Sequence, residues 1–314
     1  MAMIDELVIV GVGLIGGSMA RAARQHALAK RIVGIDAQAA QTIVDLGLVD
    51  ESHTSLQAYA KQSVHGHAAD HKNKIQRVLV LAAPPTVCAA LLADVVDTFG
   101  HKFWSAVTDV SSTKHALITA LAELQASVQS EGDEHAQKRL AHLLEVYVSS
   151  HPMAGSELNG PTASRADLFS GARVFVSELS QTHESATALV EGLWLGLGGL
   201  PAKLPMPDHD ALLASISHFP HLVSFVLADM ISRSAQASAA QSLHGGGLRD
   251  TTRIAGSSPT LWADILLDNR DEILQLIPQW QLALNELVSS LQADDREGLV
   301  RILGQASQWR RRFS

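Results

Sequence analysis

Cysteine is almost absent: the 314 residues contain one, Cys88. A single thiol excludes an intrachain disulfide framework and any metal centre built from several thiolates. Aromatic residues are scarce, at 4%, too few for a surface on which bases stack. Charged residues make up only 18%, and the net charge is −8 with histidines neutral. That balance argues against a phosphate-backbone binder, so no nucleic-acid partner is expected. Long apolar runs are missing too. The most apolar stretch, Val78 to Val96, is broken by Pro84, Pro85 and Thr86, short of the roughly 18 uninterrupted apolar residues of a membrane span. The opening Met-Ala-Met-Ile-Asp-Glu lacks the basic and apolar regions of a signal peptide. Together these absences predict a reducing, aqueous location, the cytoplasm, and no membrane partner.

What is present is aliphatic. Hydrophobic residues reach 46%, enough for a large core, and the length suits two domains. Strand-like runs at Leu7–Val10, Arg31–Asp36, Val78–Ala83, Ala106–Asp109, Val146–Ser149 and Arg173–Val176 alternate with helix-like segments. This predicts an α/β fold, a Rossmann-like doubly wound parallel sheet covered on both faces. After the proline-rich Pro201–Pro207 the texture changes. Leu261, Ile265, Leu266, Ile273 and Ile277 fall near a 3.6-residue spacing. The expected division is a dinucleotide-binding domain over 1–205 and an all-helical domain over 206–314, with the boundary in the proline-rich stretch. Two polar excursions, 61–74 and 125–139, read as surface segments. His65, His67 and His71 lie in the first without supporting Cys or Glu, so no metal site is expected.

Gly11-Val12-Gly13-Leu14-Ile15-Gly16 fits the G-x-G-x-x-G pattern, with a strand before it and a helix after it. Gly11 permits the tight turn, Gly13 lets backbone amides approach a pyrophosphate, and Gly16 allows close helix–sheet packing. Leu14 and Ile15 open the helix. Asp36 ends the second strand, where a carboxylate binds a ribose 2′-hydroxyl and repels a 2′-phosphate. No arginine follows it, so NAD is expected in preference to NADP. Ala83, Pro84 and Asp109, at the ends of the next two strands, complete the expected cofactor surface.

Three further groupings stand out. In Thr108-Asp109-Val110-Ser111-Ser112-Thr113-Lys114, a serine caps a helix, or Ser112 and Lys114 point into a cleft at the carboxyl ends of the strands. His151-Pro152-Met153-Ala154-Gly155-Ser156-Glu157 also follows a strand, and a histidine there suits proton transfer near neutral pH. The third comprises Asp210, Ser217-His218-Phe219-Pro220-His221, and Arg249-Asp250-Thr251-Thr252-Arg253. On a helix, Arg249 and Arg253 share a face. Two guanidinium groups there suit a dicarboxylate or keto acid, or simply pair with surface carboxylates such as Asp250 and Asp264.

Taken in order, these segments resemble the prephenate/arogenate (cyclohexadienyl) dehydrogenases, from the N-terminus to about Asn269. The resemblance implies NAD-dependent oxidative decarboxylation of prephenate to 4-hydroxyphenylpyruvate, or of arogenate to tyrosine. By the family pattern His151 accepts the proton of the C4 hydroxyl with Ser112 as hydrogen-bonding partner, and Arg253 anchors a substrate carboxylate. His221, Arg249, Lys114, Ser156, Glu157, Ser217 and Asp210 are the further substrate-binding candidates. A homodimer through the helical domain is expected. The family's extra regulatory domain and fused chorismate mutase are not expected here. Two other readings remain. A 3-hydroxyacid-type dehydrogenase would use a lysine in its helical half, whereas Lys203 is the last lysine of this chain. A non-catalytic NAD sensor would leave His151, Ser112 and Arg253 without a task.

Overall fold

The computed structural model describes residues 4–66, 75–156 and 158–313. His67, His71 and Glu157 lie outside the described residues, as does the side chain of His65. The chain forms two compact units. The first is Met1–Leu212 with Ile254–Asp268, and the second is Leu213–Arg253 with Asn269–Ser314. The first unit thus runs past the proline-rich stretch and takes back a helix from further along the chain.

In the first unit, strands β1 (Ile4–Val10), β2 (Ala29–Ile35), β3 (Glu51–His53), β4 (Arg77–Leu81) and β5 (Ala106–Asp109) form a sheet in the order β3-β2-β1-β4-β5. Every pairing is parallel. β1 and β4 are buried almost throughout, as the aliphatic runs Leu7–Val10 and Val78–Leu81 require. Helices α1 (Leu14–Gln25), α2 (Ala40–Asp45), α3 (Leu56–Gly66), α4 (Pro85–Thr98), α5 (His115–Glu131) and α6 (Glu134–Val146) connect the strands. The polar 125–139 stretch is the end of α5 and the start of α6. Left-handed Gly132 closes α5, and the carboxylate of Asp133 caps α6.

A second sheet, β6 (Val148–Pro152), β7 (Arg173–Glu178) and β8 (Leu200–Lys203), continues the first. The parallel bridge Val107–Tyr147 joins it to β5. β6 and β7 are antiparallel, and β7 and β8 parallel, so the expectation of a parallel sheet holds for the dinucleotide half. β8 lies in the stretch read as a boundary. Its Pro201 is tolerated because β8 is an edge strand. Helices α7 (Glu184–Gly196) and α8 (Met206–Leu213) follow β7 and β8, respectively.

The second unit begins with a π-helical turn, Ala214–His218, then α9 (Phe219–Ser232), α10 (Ala237–Leu243) and α11 (Gly246–Thr252). After α12 (Pro259–Asp268), which belongs to the first unit, come α13 (Arg270–Gln292) and α14 (Arg296–Arg310). Buried His218 and Asn269 hydrogen-bond at 2.8 Å. Many large apolar side chains of this unit are exposed, among them Val226, Met230, Leu274, Leu282, Leu291 and Leu303.

The glycine turn couples sheet and helix directly. A Cβ on Gly16 would sit 2.2 Å from the carbonyl oxygen of Gly11, so Gly16→Ala must push α1 away from the turn. That variant is expected to lower the melting temperature and to weaken NADH binding about tenfold, equivalent to about 1.4 kcal/mol. Thermal melts and fluorescence titration would measure both, and wild-type values for both would contradict the packing role.

Candidate active site

The cofactor surface forms where parallel strands end. Gly11 has φ +84° and donates its amide to the Ile35 carbonyl at 2.8 Å. A Cβ at Gly11 would meet the Ala82 carbonyl oxygen at 2.5 Å, whereas Gly13 faces open space. The turn therefore needs glycine to close against β4 and leaves room for a phosphate group above Gly13. Asp36 is fixed by three amides. Its Oδ2 accepts from Val12 at 3.1 Å, and its Oδ1 accepts from Gln38 and Ala39 at 3.0 and 2.8 Å. Leu14, Ile15 and Ala83 are half-buried and Pro84 is exposed, all beside this turn. These residues fit a dinucleotide: a close-approach turn, a helix N-terminus and an oriented carboxylate.

Because β6 runs parallel to β5, His151 near its carboxyl end reaches the same edge of the sheet. Its ring is buried. Nδ1 of His151 lies 2.9 Å from Nε2 of His209, and Nδ1 of His209 lies 2.7 Å from Oδ1 of Asp210. Burial holds the His209 pKa below the ordinary histidine value. Asp210 in turn accepts from the first amides of α5, Lys114 N at 2.9 and 3.0 Å and His115 N at 2.8 Å. Asp210 is expected at the substrate, and His209 carries no expected role. In the fold the Asp210 carboxylate is taken up by α5 and His209. Nothing in a His-Asp dipeptide distinguishes the two arrangements before the helix and strand are brought together.

Lys114 and Asp109 also require correction. Both are fully buried. The Lys114 ammonium donates to Asp109 Oδ2 at 2.7 Å and to the carbonyls of Ser111 and Ser150 at 2.9 and 2.8 Å. It cannot face a substrate, and the Asp109 carboxylate cannot face a cofactor. Asp109 Oδ1 accepts from Tyr147 Oη at 2.8 Å. Burial alone would raise the Asp109 pKa, but the adjacent ammonium outweighs it and holds the carboxyl below its ordinary value. Of the neighbouring serines, Ser111 is buried and Ser112 half-buried, so Ser112 carries the more accessible hydroxyl. Ser156 is exposed in the loop after β6, where its hydroxyl accepts from the Leu158 amide.

The remaining candidates lie in the second unit. Arg249 and Arg253 line a cavity of about 420 Å³ with His244, Leu248 and Thr252. His221 donates from Nδ1 to the Ser217 carbonyl at 2.9 Å. Burial lowers its pKa, the Ser217 bond opposes the shift, and the Arg253 charge adds to it.

A turn shaped for a pyrophosphate, on the same sheet edge as a buried imidazole, defines a nicotinamide-dependent dehydrogenase as the class of the first unit. Residues 19–201 match the family model of the prephenate dehydrogenase nucleotide-binding domain, and residues 206–305 match that of the prephenate dehydrogenase dimerization domain. The chain belongs to the prephenate dehydrogenase family. It is 29% identical over 311 residues to a prephenate dehydrogenase of Bacillus subtilis, covering 98% of this chain and 76% of that protein. It is 27% identical over 304 residues to a cyclohexadienyl dehydrogenase of Zymomonas mobilis, covering 96% and 93%. The crystal structure of an A. aeolicus prephenate dehydrogenase with hydroxyphenyl propionate and NAD+ superimposes with a TM-score of 0.79 at 27% identity, covering 99% of both chains.

The buried pair yields a test. Lys114→Met would strand the Asp109 charge and is expected to cost about 3–5 kcal/mol at neutral pH. In the wild type the depressed Asp109 pKa contributes stability that is full above about pH 4 and is lost as pH falls further. The variant's carboxyl, without its ammonium, protonates more readily, so its deficit should shrink in acid. Urea denaturation at several pH values measures this. Unchanged stability with a raised substrate KM would instead return Lys114 to the substrate.

Proposed function

We propose that this chain catalyses NAD+-dependent oxidative decarboxylation of prephenate, of arogenate, or of both, with His151 as the base. The observation that carries the assignment of the base is the buried His151 imidazole at the sheet edge shared with the glycine turn. In the reaction, the C4 hydroxyl gives up its proton as the C4–H bond breaks, the hydroxyl becomes a carbonyl, CO2 leaves from C1 and the ring aromatises. The glycine turn and Asp36 would hold the pyrophosphate and ribose of the dinucleotide, whose nicotinamide would supply the acceptor for the C4 hydride. A neutral imidazole at His151 accepts the hydroxyl proton, and Ser112 hydrogen-bonds to the same centre.

The second unit is proposed to anchor substrate carboxylate through Arg253, helped by Arg249, His221 and Ser217. Anchoring must orient the departing carboxylate without neutralising it fully, since CO2 leaves with its bonding electrons on the ring. Cys88 takes no part. Burial pushes its thiol up to about 12, which leaves it inert. One buried thiol suits the cytoplasm, which is the proposed location.

The helical residues from 206 onward also supply the proposed homodimer contact. The helical stretch Met206–Ser232 is long and apolar enough, by length and composition, to cross a membrane. The dimerization-domain model begins at the same residue, 206. That apolarity, with Leu274, Leu282, Leu291 and Leu303 exposed beyond it, is assigned to contact with a second copy.

His151→Asn should lower kcat about 10²–10⁴-fold, while Arg253→Gln should mainly raise the substrate KM. Initial rates from NADH absorbance, with prephenate and arogenate each offered against NAD+ and NADP+, test these together, and NAD+ should be strongly preferred. An unchanged kcat in His151→Asn would remove the base from the scheme. Light scattering at micromolar concentration should give the mass of a dimer, and a monomer would contradict the contact.

A further inference from the structure

We infer that His209, held by Asp210, fixes which nitrogen of His151 is basic, leaving Nε2 of His151 as the atom that takes the substrate proton. This rests on the reading of His151 as the base and adds a positioning residue to it. A carboxylate accepts hydrogen bonds and cannot donate one. The 2.7 Å contact to Asp210 Oδ1 therefore places a hydrogen on His209 Nδ1. His209 is fully buried. Burial lowers its pKa most and the Lys114 ammonium adds to that, against the opposing carboxylates of Asp210 and Asp109. The ring thus stays neutral, and its Nε2 keeps a lone pair. His151 Nδ1, 2.9 Å from that lone pair, must donate. A neutral His151 then carries hydrogen on Nδ1 and its own lone pair on Nε2.

The arrangement is rigid at each joint. Burial would raise the Asp210 pKa, but the His209 bond and then the amides of Lys114 and His115 at the N-terminus of α5 outweigh it and hold the carboxyl below its ordinary value. Phe175 stands edge-on to His209, with ring centroids 6.3 Å apart and planes at 88°, and restrains its tilt. When the substrate O–H bond breaks, an N–H bond forms at His151 Nε2, and the oxygen's electron pair becomes the new C–O π bond as the C4 hydride departs. The resulting imidazolium still donates from Nδ1 to His209. The Asp210 carboxylate behind His209 offsets the new charge, much as an aspartate supports the histidine of a hydrolase triad.

The direct test is the side-chain ¹⁵N spectrum of histidine-labelled enzyme at neutral pH, with His151 assigned by its loss in His151→Asn. The expected pattern is a protonated Nδ1 and an unprotonated Nε2. The reverse pattern, or an averaged one, would overturn the inference. Two variants extend the test. In His209→Gln the side-chain oxygen can accept from His151 while the amide nitrogen donates to Asp210, so most of kcat should survive. In His209→Leu that acceptor is gone. The expected result is a fall in kcat of about 10²-fold, an averaged ¹⁵N pattern, and unchanged substrate KM and NADH affinity. Wild-type kcat in His209→Leu would overturn the positioning role while leaving His151 as base. Wild-type kcat in His151→Asn would instead sink the underlying reading. If His209→Leu fails to fold, the wild-type spectrum and His209→Gln decide.

Discussion

The carboxyl edge of the sheet depends on one buried ion pair. Asp109 at the end of β5 binds the Lys114 ammonium, the Tyr147 hydroxyl and the Ser111 amide, while Lys114 also binds the Ser150 carbonyl of β6. The pair therefore ties β5, β6 and the start of α5 together. Its own contribution to stability is small, because desolvating two ions offsets most of their attraction. Its consequence is geometric. An ammonium with three fixed acceptors allows one arrangement of β6 beside β5, and β6 carries His151. The exposed pairs Arg24–Asp50 and Lys203–Glu178 constrain nothing comparable, since solvent screens them.

From that knot the polar chain runs outward. Backbone amides of Lys114 and His115 hold Asp210, Asp210 holds His209, and His209 holds His151. Each link uses a different physical device: an ion pair, a helix terminus, a carboxylate–imidazole bond and an imidazole–imidazole bond. Removal of any one takes a partner from a buried polar group, which costs more than the bond itself contributes. Such a chain holds the His151 side chain more tightly than a loop would, which on the proposed reading lets a single histidine serve at a defined atom.

How much of this was legible in the sequence follows from the kind of signal each part leaves. The glycine turn, Asp36 and the inner strands were legible because Gly11 and Gly16 are required by backbone contacts, and Leu7–Val10 of β1 and Val78–Leu81 of β4 are unbroken aliphatic runs. β3 left no signal: Glu51-Ser52-His53 is a polar edge strand of three residues. β8 was hidden by Pro201, which argues for a break everywhere except at an edge. Lys114 was misread for a more general reason. A lysine just beyond a strand end has the same local sequence whether it faces a ligand or the interior, and the deciding partners, Asp109 and Ser150, come from two different strands. Periodicity placed helices beyond residue 206, but it carried no information on which unit α12 would join.

The charge count at the edge bears on the chemistry. Asp109 and Asp210 contribute two negative charges and Lys114 one positive charge, so with neutral imidazoles the cluster carries a net −1. The positive end of α5 compensates part of this without adding a mobile ion. On the proposed reading, proton uptake by His151 brings the cluster to zero. On that reading the fixed negative charge offsets the positive charge that forms on the imidazole as the substrate O–H bond breaks. A second carboxylate in a dry interior would otherwise be a cost with no return. On the proposed reading its fixed position behind His209 places that charge where it acts on the transition state of proton transfer, one ring removed from the base itself.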